Sequence, residues 1–248
     1  MGTPEPAGDH APPARRSPPD LAAAANAYQV PGVVPPTADA GAALSTGAAP
    51  APPPVPIARS KLAELPIYAS SADASPARRL GNPTEFGSPL TLLVLGSEGP
   101  SLQVVLPVRP NGAVGWVRAT DVELTSIDDR IDIDLTARML TWTRAGAPLM
   151  QHAVAVGAPS SPTPVGLFFV TDVVREDAAG QYGPWAVALS AYSDTFRSSS
   201  GDYRIAIHGT NRPDSIGKAV SQGCARLPND LVTTLAAGVP LGTPVTIH

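Results

Sequence analysis

Proline fixes φ near about −65° and has no N–H to give to a helix turn or a sheet ladder. Fourteen of the thirty prolines in this 248-residue chain fall within residues 1–56. Proline and alanine together supply 29 of those 56 residues, and Tyr28 is the only aromatic among them. Such a segment buries too little apolar area to offset the entropy of ordering it. Residues 1–56 are therefore read as a disordered Pro/Ala-rich tail or linker with polyproline II stretches, a spacer or a tether. Folding is left to the chain beyond it. A hydrophobic content of 43% over all 248 residues allows a real core and one or two domains.

From Ile57 the pattern becomes short β-type runs: Ile67-Tyr68, Leu90 to Leu95, Leu102 to Leu106 and Gly115-Trp116-Val117-Arg118. Gly81-Asn82-Pro83, Gly99-Pro100 and Pro110-Asn111-Gly112 separate them. Strands this short, with no helical periodicity, predict a small β-barrel module over 57–126. Asn111-Gly112 reads as a hairpin turn, because both residues tolerate positive φ. Trp116 reads as a core or barrel-closing residue in preference to a ligand platform.

Residues 130–248 continue in strands. Ile131-Asp132-Ile133-Asp134-Leu135 alternates apolar and acidic positions, which puts Asp132 and Asp134 on a solvated face. Arg144-Ala145-Gly146 reads as a hairpin turn, and Thr163-Pro164 launches a strand over Gly166 to Val170. In Tyr203-Arg204-Ile205-Ala206-Ile207-His208, Tyr203, Ile205 and Ile207 share one face and Arg204, Ala206 and His208 the other. Residues 172–202 look irregular, and so long a connection in a compact domain reads as a lid or substrate wall. Within it Trp185 and Tyr192 are candidates to line a peptide groove, with Trp185 equally suited to covering the edge of the core. Ser215 to Val220 reads as a short helical turn. Asn229 to Leu235 is a helix capped by Asn229 or Asp230, with Gly238 as its stop. Val245 to Ile247 closes the sheet, so the fold class is mainly β with one short helix.

Cys224 is the only cysteine, so it has no disulfide partner in its own chain. A thiol is a good nucleophile only as the thiolate, which needs a base or an electropositive setting. His208, sixteen positions upstream, is the nearest candidate base, and the carbonyl of Gly209 is placed to orient its ring. Gly223 lets the backbone turn sharply before the nucleophile, and the N–H groups of Gln222, Gly223 and Cys224 can face a developing oxyanion. Arg226 has the planar fork to hold a carboxylate, or else sits in a surface salt bridge. Ser221 is expected to hydrogen-bond within the turn or near the thiol. Spacing alone thus gives cysteine acyl transfer, without a substrate.

Several classes are disfavoured. A net charge of −4 with no Lys/Arg run gives no case for nucleic acid or an anionic membrane surface. No apolar run reaches the ~18–20 residues of a membrane span. Leu21-Ala22-Ala23-Ala24-Ala25 is too short for the apolar stretch of an export signal. His10, His152, His208 and His248 show no ligand spacing with the lone cysteine, so no metal site is expected, and no organic cofactor is implied.

The blocks Ile207-His208-Gly209-Thr210, Ser221-Gln222-Gly223-Cys224 and Ala225-Arg226-Leu227 resemble the signature of the L,D-transpeptidase catalytic domain (YkuD-type). The resemblance runs from about Ile131 to His248. It includes Thr163-Pro164-Val165-Gly166-Leu167-Phe168 before the motif and Gly242-Thr243-Pro244-Val245 after it. It implies a transpeptidase-type β-sandwich with a short helix, acting on peptidoglycan stem peptides. In that family Cys224 would attack a tetrapeptide stem with release of D-alanine, and a second stem's amine would complete a 3→3 cross-link. His208 and Gly209 would serve the nucleophile, while Arg226, Ser221, Thr210, Trp185 and Tyr192 would hold substrate. Carbapenems would acylate Cys224, and the enzyme would work outside the cytoplasm, in the periplasm or cell wall. With no export signal visible, the chain is then expected to be a mature or truncated form. It carries Gln222 where many members have His, and Arg226 where many have Asn. Residues 57–126 resemble a bacterial SH3-like domain through Gly115-Trp116-Val117 and Asp121-Val122, which implies spacing or wall binding. Two alternatives stay open: an L,D-carboxypeptidase using the same acyl-enzyme, and a non-catalytic cell-wall-binding protein.

Overall fold

A computed structural model describes residues 50–198 and 201–248. The expected disordered tail lies outside the described residues up to position 49. The first strand, β1 (Val55–Ser60), already takes in Val55 and Pro56. Ile127 lies opposite Val55 and Ser126 opposite Pro56 in that pairing.

β1 sits in a five-stranded antiparallel sheet in the order β6-β5-β4-β1-β7. The other members are β4 (Thr91–Glu98), β5 (Ser101–Val105), β6 (Val114–Arg118) and β7 (Val122–Ile127), while β2 (Glu64–Ile67) and β3 (Arg78–Gly81) form a separate hairpin. Trp116 exchanges backbone hydrogen bonds with Tyr68 at 2.8 and 2.9 Å, tying β6 to the end of β2. Leu65, Leu92, Val104 and Val117 are fully buried in this module's core.

The second sheet is one hydrogen-bonded ladder of eight strands, in the order β10-β9-β8-β17-β12-β13-β14-β16. These are β8 (Asp129–Asp134), β9 (Met139–Arg144), β10 (Ala147–Ala153), β12 (Gly166–Arg175), β13 (Trp185–Ser198), β14 (Gly201–His208), β16 (Ala225–Arg226) and β17 (Pro244–Ile247). A two-strand parallel pair, β11 (Val156–Gly157) and β15 (Ala219–Ser221), lies outside it. Register shifts interrupt the ladder between Val170 and Asp172 and between Ala188 and Tyr192. Shifts of this kind bend strands and add twist. Both halves of the ladder share one core. Ile131, Ile133 and Leu140 meet Val187, Leu189, Ile205 and Ile207 there, with Val232 and Leu235 of the helix α1 (Asn229–Gly238).

Three sequence expectations are corrected. Residues 172–202 are largely strand: β12 runs on to Arg175 and β13 occupies Trp185–Ser198. Val187, Leu189 and Ala191 feed the core, but Ala186, Ala188 and Ser190 on the opposite face are buried too. With both faces covered, the polar half of the alternation is missing. The helical turn expected over Ser215 to Val220 is instead a 3-10 turn at Pro213–Ser215 followed by β15. Pro228, not Asn229 or Asp230, occupies the N-cap of α1, and no side chain caps it.

The two modules pack through specific contacts. Phe168 is buried in the eight-strand core and Phe169 in the N-terminal core, because neighbours on a strand face opposite ways. Asn111, in the turn after β5, donates from Nδ2 to the Tyr192 carbonyl at 2.7 Å and accepts the Tyr192 N–H at 2.9 Å. Arg109 Nε donates to Asp202 at 2.7 Å. No helix among the described residues is long and apolar enough to cross a membrane.

Candidate active site

Strand pairing at one edge of the ladder collapses the sequence gap between His208 and Cys224. β14 and β16 run parallel, with Ile207 beside Ala225 and His208 beside Arg226. Cys224 comes immediately before β16, and its Sγ lies 4.0 Å from the Arg204 carbonyl oxygen and 3.9 Å from the Tyr203 hydroxyl. The thiol is 3% exposed. Burial pushes its pKa up, against the Ala206 N–H, the Tyr203 hydroxyl and the Arg226 charge, which all favour thiolate.

His208 is 2% exposed. Its Nδ1 stands 2.5 Å from the Gly209 carbonyl oxygen. A carbonyl only accepts, so Nδ1 carries the proton and the Nε2 lone pair is left as the base. Burial lowers the imidazole to about 4; the Gly209 carbonyl opposes that shift and the Arg226 charge adds to it. At neutral pH the site therefore holds a neutral imidazole and a protonated thiol. No hydrogen bond joins the two side chains directly.

The cysteine turn is clamped by Ser221. Its Oγ accepts the Gly223 N–H at 3.1 Å and donates to the Cys224 carbonyl at 2.6 Å. Gly223 has φ +117°, and a Cβ there would meet Ile205 Cδ1 at 2.8 Å, so only glycine fits without strain. This corrects the expected set of oxyanion donors. The Gly223 N–H is taken by Ser221, whereas the N–H groups of Gln222 and Cys224 have no protein acceptor among the described residues.

Arg226 has no acidic partner among the described residues, and its buried Nε has no hydrogen-bond partner. Thr210 is anchored: its N–H donates to Asn229 Oδ1 at 2.7 Å, and its Oγ1 accepts the Arg212 N–H at 2.9 Å. The Trp185 carbonyl accepts the Gly209 N–H at 3.2 Å, while its ring packs on the edge of the core and under Arg175. Tyr192 is not brought to the site. It pairs across strands with Arg204, so the two side chains share a face, the one opposite Tyr203. There the Tyr192 hydroxyl donates to the Pro107 carbonyl at 2.9 Å and accepts from Arg204 at 2.8 Å.

Sequence reasoning missed three residues of this cluster. Tyr203 faces the thiol, with Phe196 edge-on to its ring at 4.8 Å. Burial first, and then the nearby thiol and Tyr182, push its phenol pKa up. Tyr182 packs edge-on against the His208 ring at 4.8 Å. Asn229 holds the Thr210 N–H. The alternation of β14 placed Tyr203 off the His208 face, and nothing local marks Tyr182.

Residues 128–247 match the L,D-transpeptidase catalytic domain family, YkuD. The YkuD protein of Bacillus subtilis is 31% identical over 154 residues, covering 60% of this chain and 87% of its own. The YkuD protein of Bacillus licheniformis is 35% identical over 122 residues, covering 49% of this chain and 67% of its own. Among solved structures, an L,D-transpeptidase from Mycobacterium smegmatis aligns at 18% identity with a TM-score of 0.40, covering 60% of this chain and 89% of that one.

Proposed function

Because the chain belongs to the YkuD L,D-transpeptidase family, we propose that it is a peptidoglycan L,D-transpeptidase working through a cysteine acyl-enzyme. Cys224 Sγ bonds to the carbonyl carbon of the third residue of a tetrapeptide stem, in the peptide bond to its terminal D-alanine. His208 Nε2 takes the thiol proton and passes it to the nitrogen of the departing D-alanine as the C–N bond breaks. The side-chain amine of a second stem then attacks the thioester. Its proton leaves through His208, the sulfur departs, and a 3→3 cross-link remains.

The observation that carries this reading is the buried imidazole. Its Nδ1–H is fixed on the Gly209 carbonyl, and the pairing of Ile207 with Ala225 brings its strand end next to the segment that carries the lone buried thiol. With the pair neutral at rest, His208 acts as a general base once the donor arrives, rather than holding a standing ion pair. The free N–H groups of Gln222 and Cys224 supply the oxyanion contacts, and Ser221 keeps their turn in shape. The unpartnered fork of Arg226 suits a stem carboxylate. Cys224 is 3% exposed with the Tyr203 hydroxyl 3.9 Å from its sulfur, so the donor must displace what covers the thiol.

The N-terminal β-module is an SH3-like spacer or wall-binding unit in this reading, and the enzyme works in the cell envelope. Carbapenems present a strained carbonyl to the same thiol and should form an adduct at Cys224.

The test is mass spectrometry of products and protein after incubation with disaccharide-tetrapeptide. Dimers lacking one D-alanine would support transpeptidation, and their persistence in Cys224→Ala would sink it. Tripeptide monomers alone would make the protein an L,D-carboxypeptidase. No turnover and no adduct at Cys224 would leave a wall-binding protein.

A further inference from the structure

The peptide unit between Gly209 and Thr210 is held at both ends. Its carbonyl accepts from His208 Nδ1 at 2.5 Å, and its N–H donates to Asn229 Oδ1 at 2.7 Å. The unit is planar, so fixing the N–H direction also fixes the carbonyl. Asn229 opens α1, where an asparagine ordinarily caps its own helix. Here it makes no cap bond, and its side chain crosses to the His208 loop instead. The space around that oxygen is cleared by two glycines. A Cβ at Gly209 would fall 2.4 Å from Asn229 Oδ1, and one at Gly183 would fall 2.3 Å from it. The Leu227 N–H donates to the His208 carbonyl at 2.9 Å, which locks the strand end to the approach of the helix.

We propose that Asn229 is a positioning residue for His208, acting through the Gly209–Thr210 peptide. The relay runs from Asn229 Oδ1 to the Thr210 N–H, through the peptide to the Gly209 carbonyl, and on to the His208 Nδ1–H. It takes the orienting part that an acidic side chain plays in a Ser-His-Asp triad. Successive hydrogen bonds polarise one another, so a better acceptor at position 229 pulls harder on the Nδ1 proton and makes Nε2 more basic. The other groups facing the ring are the Arg226 guanidinium from β16 and the Tyr182 ring from the loop ahead of β13. The inference rests on the acyl-transfer reading of His208 and Cys224.

The test compares Asn229→Leu and Asn229→Asp in the full chain. Iodoacetamide alkylation of Cys224 is followed from about pH 5 to 9, with melting temperature measured alongside. Leucine is close in size but accepts nothing; alkylation at neutral pH should fall roughly tenfold, the worth of about one buried hydrogen bond. Aspartate keeps the acceptor and adds charge. It should favour the imidazolium–thiolate pair, quicken alkylation at neutral pH and displace the inflection downward. A residue that merely held the loop would move both variants the same way, in step with lost stability. Wild-type alkylation in Asn229→Leu, or slowed alkylation in Asn229→Asp, would overturn the proposal. If the leucine variant fails to fold, the aspartate variant decides alone. Alkylation reads the thiol–imidazole pair whatever the acyl donor is. A wild-type protein that cross-links no stems yet shows these opposite shifts would defeat the stem reading and leave the role of Asn229 standing.

Discussion

The hydroxyl of Tyr203 lies 3.9 Å from Cys224 Sγ, five residues before His208 on the same strand. The neutral thiol can donate to that oxygen, and the thiolate would receive its proton's hydrogen bond in return. The contact therefore favours thiolate, against the burial that disfavours it. Tyr203→Phe should raise the thiol pKa further and slow alkylation at pH 8 by roughly threefold, a fraction of a full charge-assisted hydrogen bond at this distance. Melting temperature should barely move. Alkylation at the wild-type rate across the pH range would remove Tyr203 from the site.

His208 couples the site to stability. Its imidazole titrates at about 4 when folded, against 6.5 when free. Between those values the unfolded chain binds a proton that the folded chain refuses. Stability is thus complete above about pH 6.5 and falls as pH drops towards 4. The gap is worth about 3 kcal/mol at the bottom of the window. Urea unfolding of the wild type and His208→Gln at pH 7 and pH 4.5 should show the variant losing less. Equal losses would mean that the buried ring is not the group responsible.

Gly209 has no room for a side chain. A Cβ there would sit 2.4 Å from Asn229 Oδ1 and 3.1 Å from Pro184 Cδ. Gly209→Ala should cost about 1–3 kcal/mol through overpacking. It should also turn the peptide that orients His208, so stem turnover should fall by more than the stability loss explains. A variant with wild-type kcat would show that the loop tolerates displacement.

A substitution at Arg226 should separate substrate binding from activation of the thiol. Arg226→Lys keeps the positive charge that lowers both His208 and Cys224, but it loses the bidentate fork. Reaction with neutral iodoacetamide should stay near wild type, while KM for a tetrapeptide stem rises roughly tenfold, the worth of about one charge-assisted hydrogen bond. An unchanged KM would place the stem carboxylate elsewhere.

The β runs and the family motif were legible because both are local. Alternation in Ile131 to Asp134 and in Tyr203 to His208 predicts strands, and they are β8 and β14. The strand β13 was hidden because Ala186, Ala188 and Ser190 are small, weak in strand preference and buried, leaving no polar face to count. Asn229 reads as a cap from its neighbours, and only a partner nineteen residues back in the chain redirects it.

What the sequence alone determined is the inventory and its order: one thiol, one histidine upstream at the end of an alternating strand, and a glycine turn before the cysteine. Tertiary structure decided who meets whom. It sent Phe168 and Phe169 into different cores and turned Tyr192 towards Arg204 and the N-terminal module. It also spent the Gly223 N–H on Ser221 and set Tyr203 beside the thiol. The physical reason is that a residue's face and conformational preference are set within a few positions of the chain. A hydrogen bond or packing partner is set by strand order and register, which bring together groups that no local pattern relates.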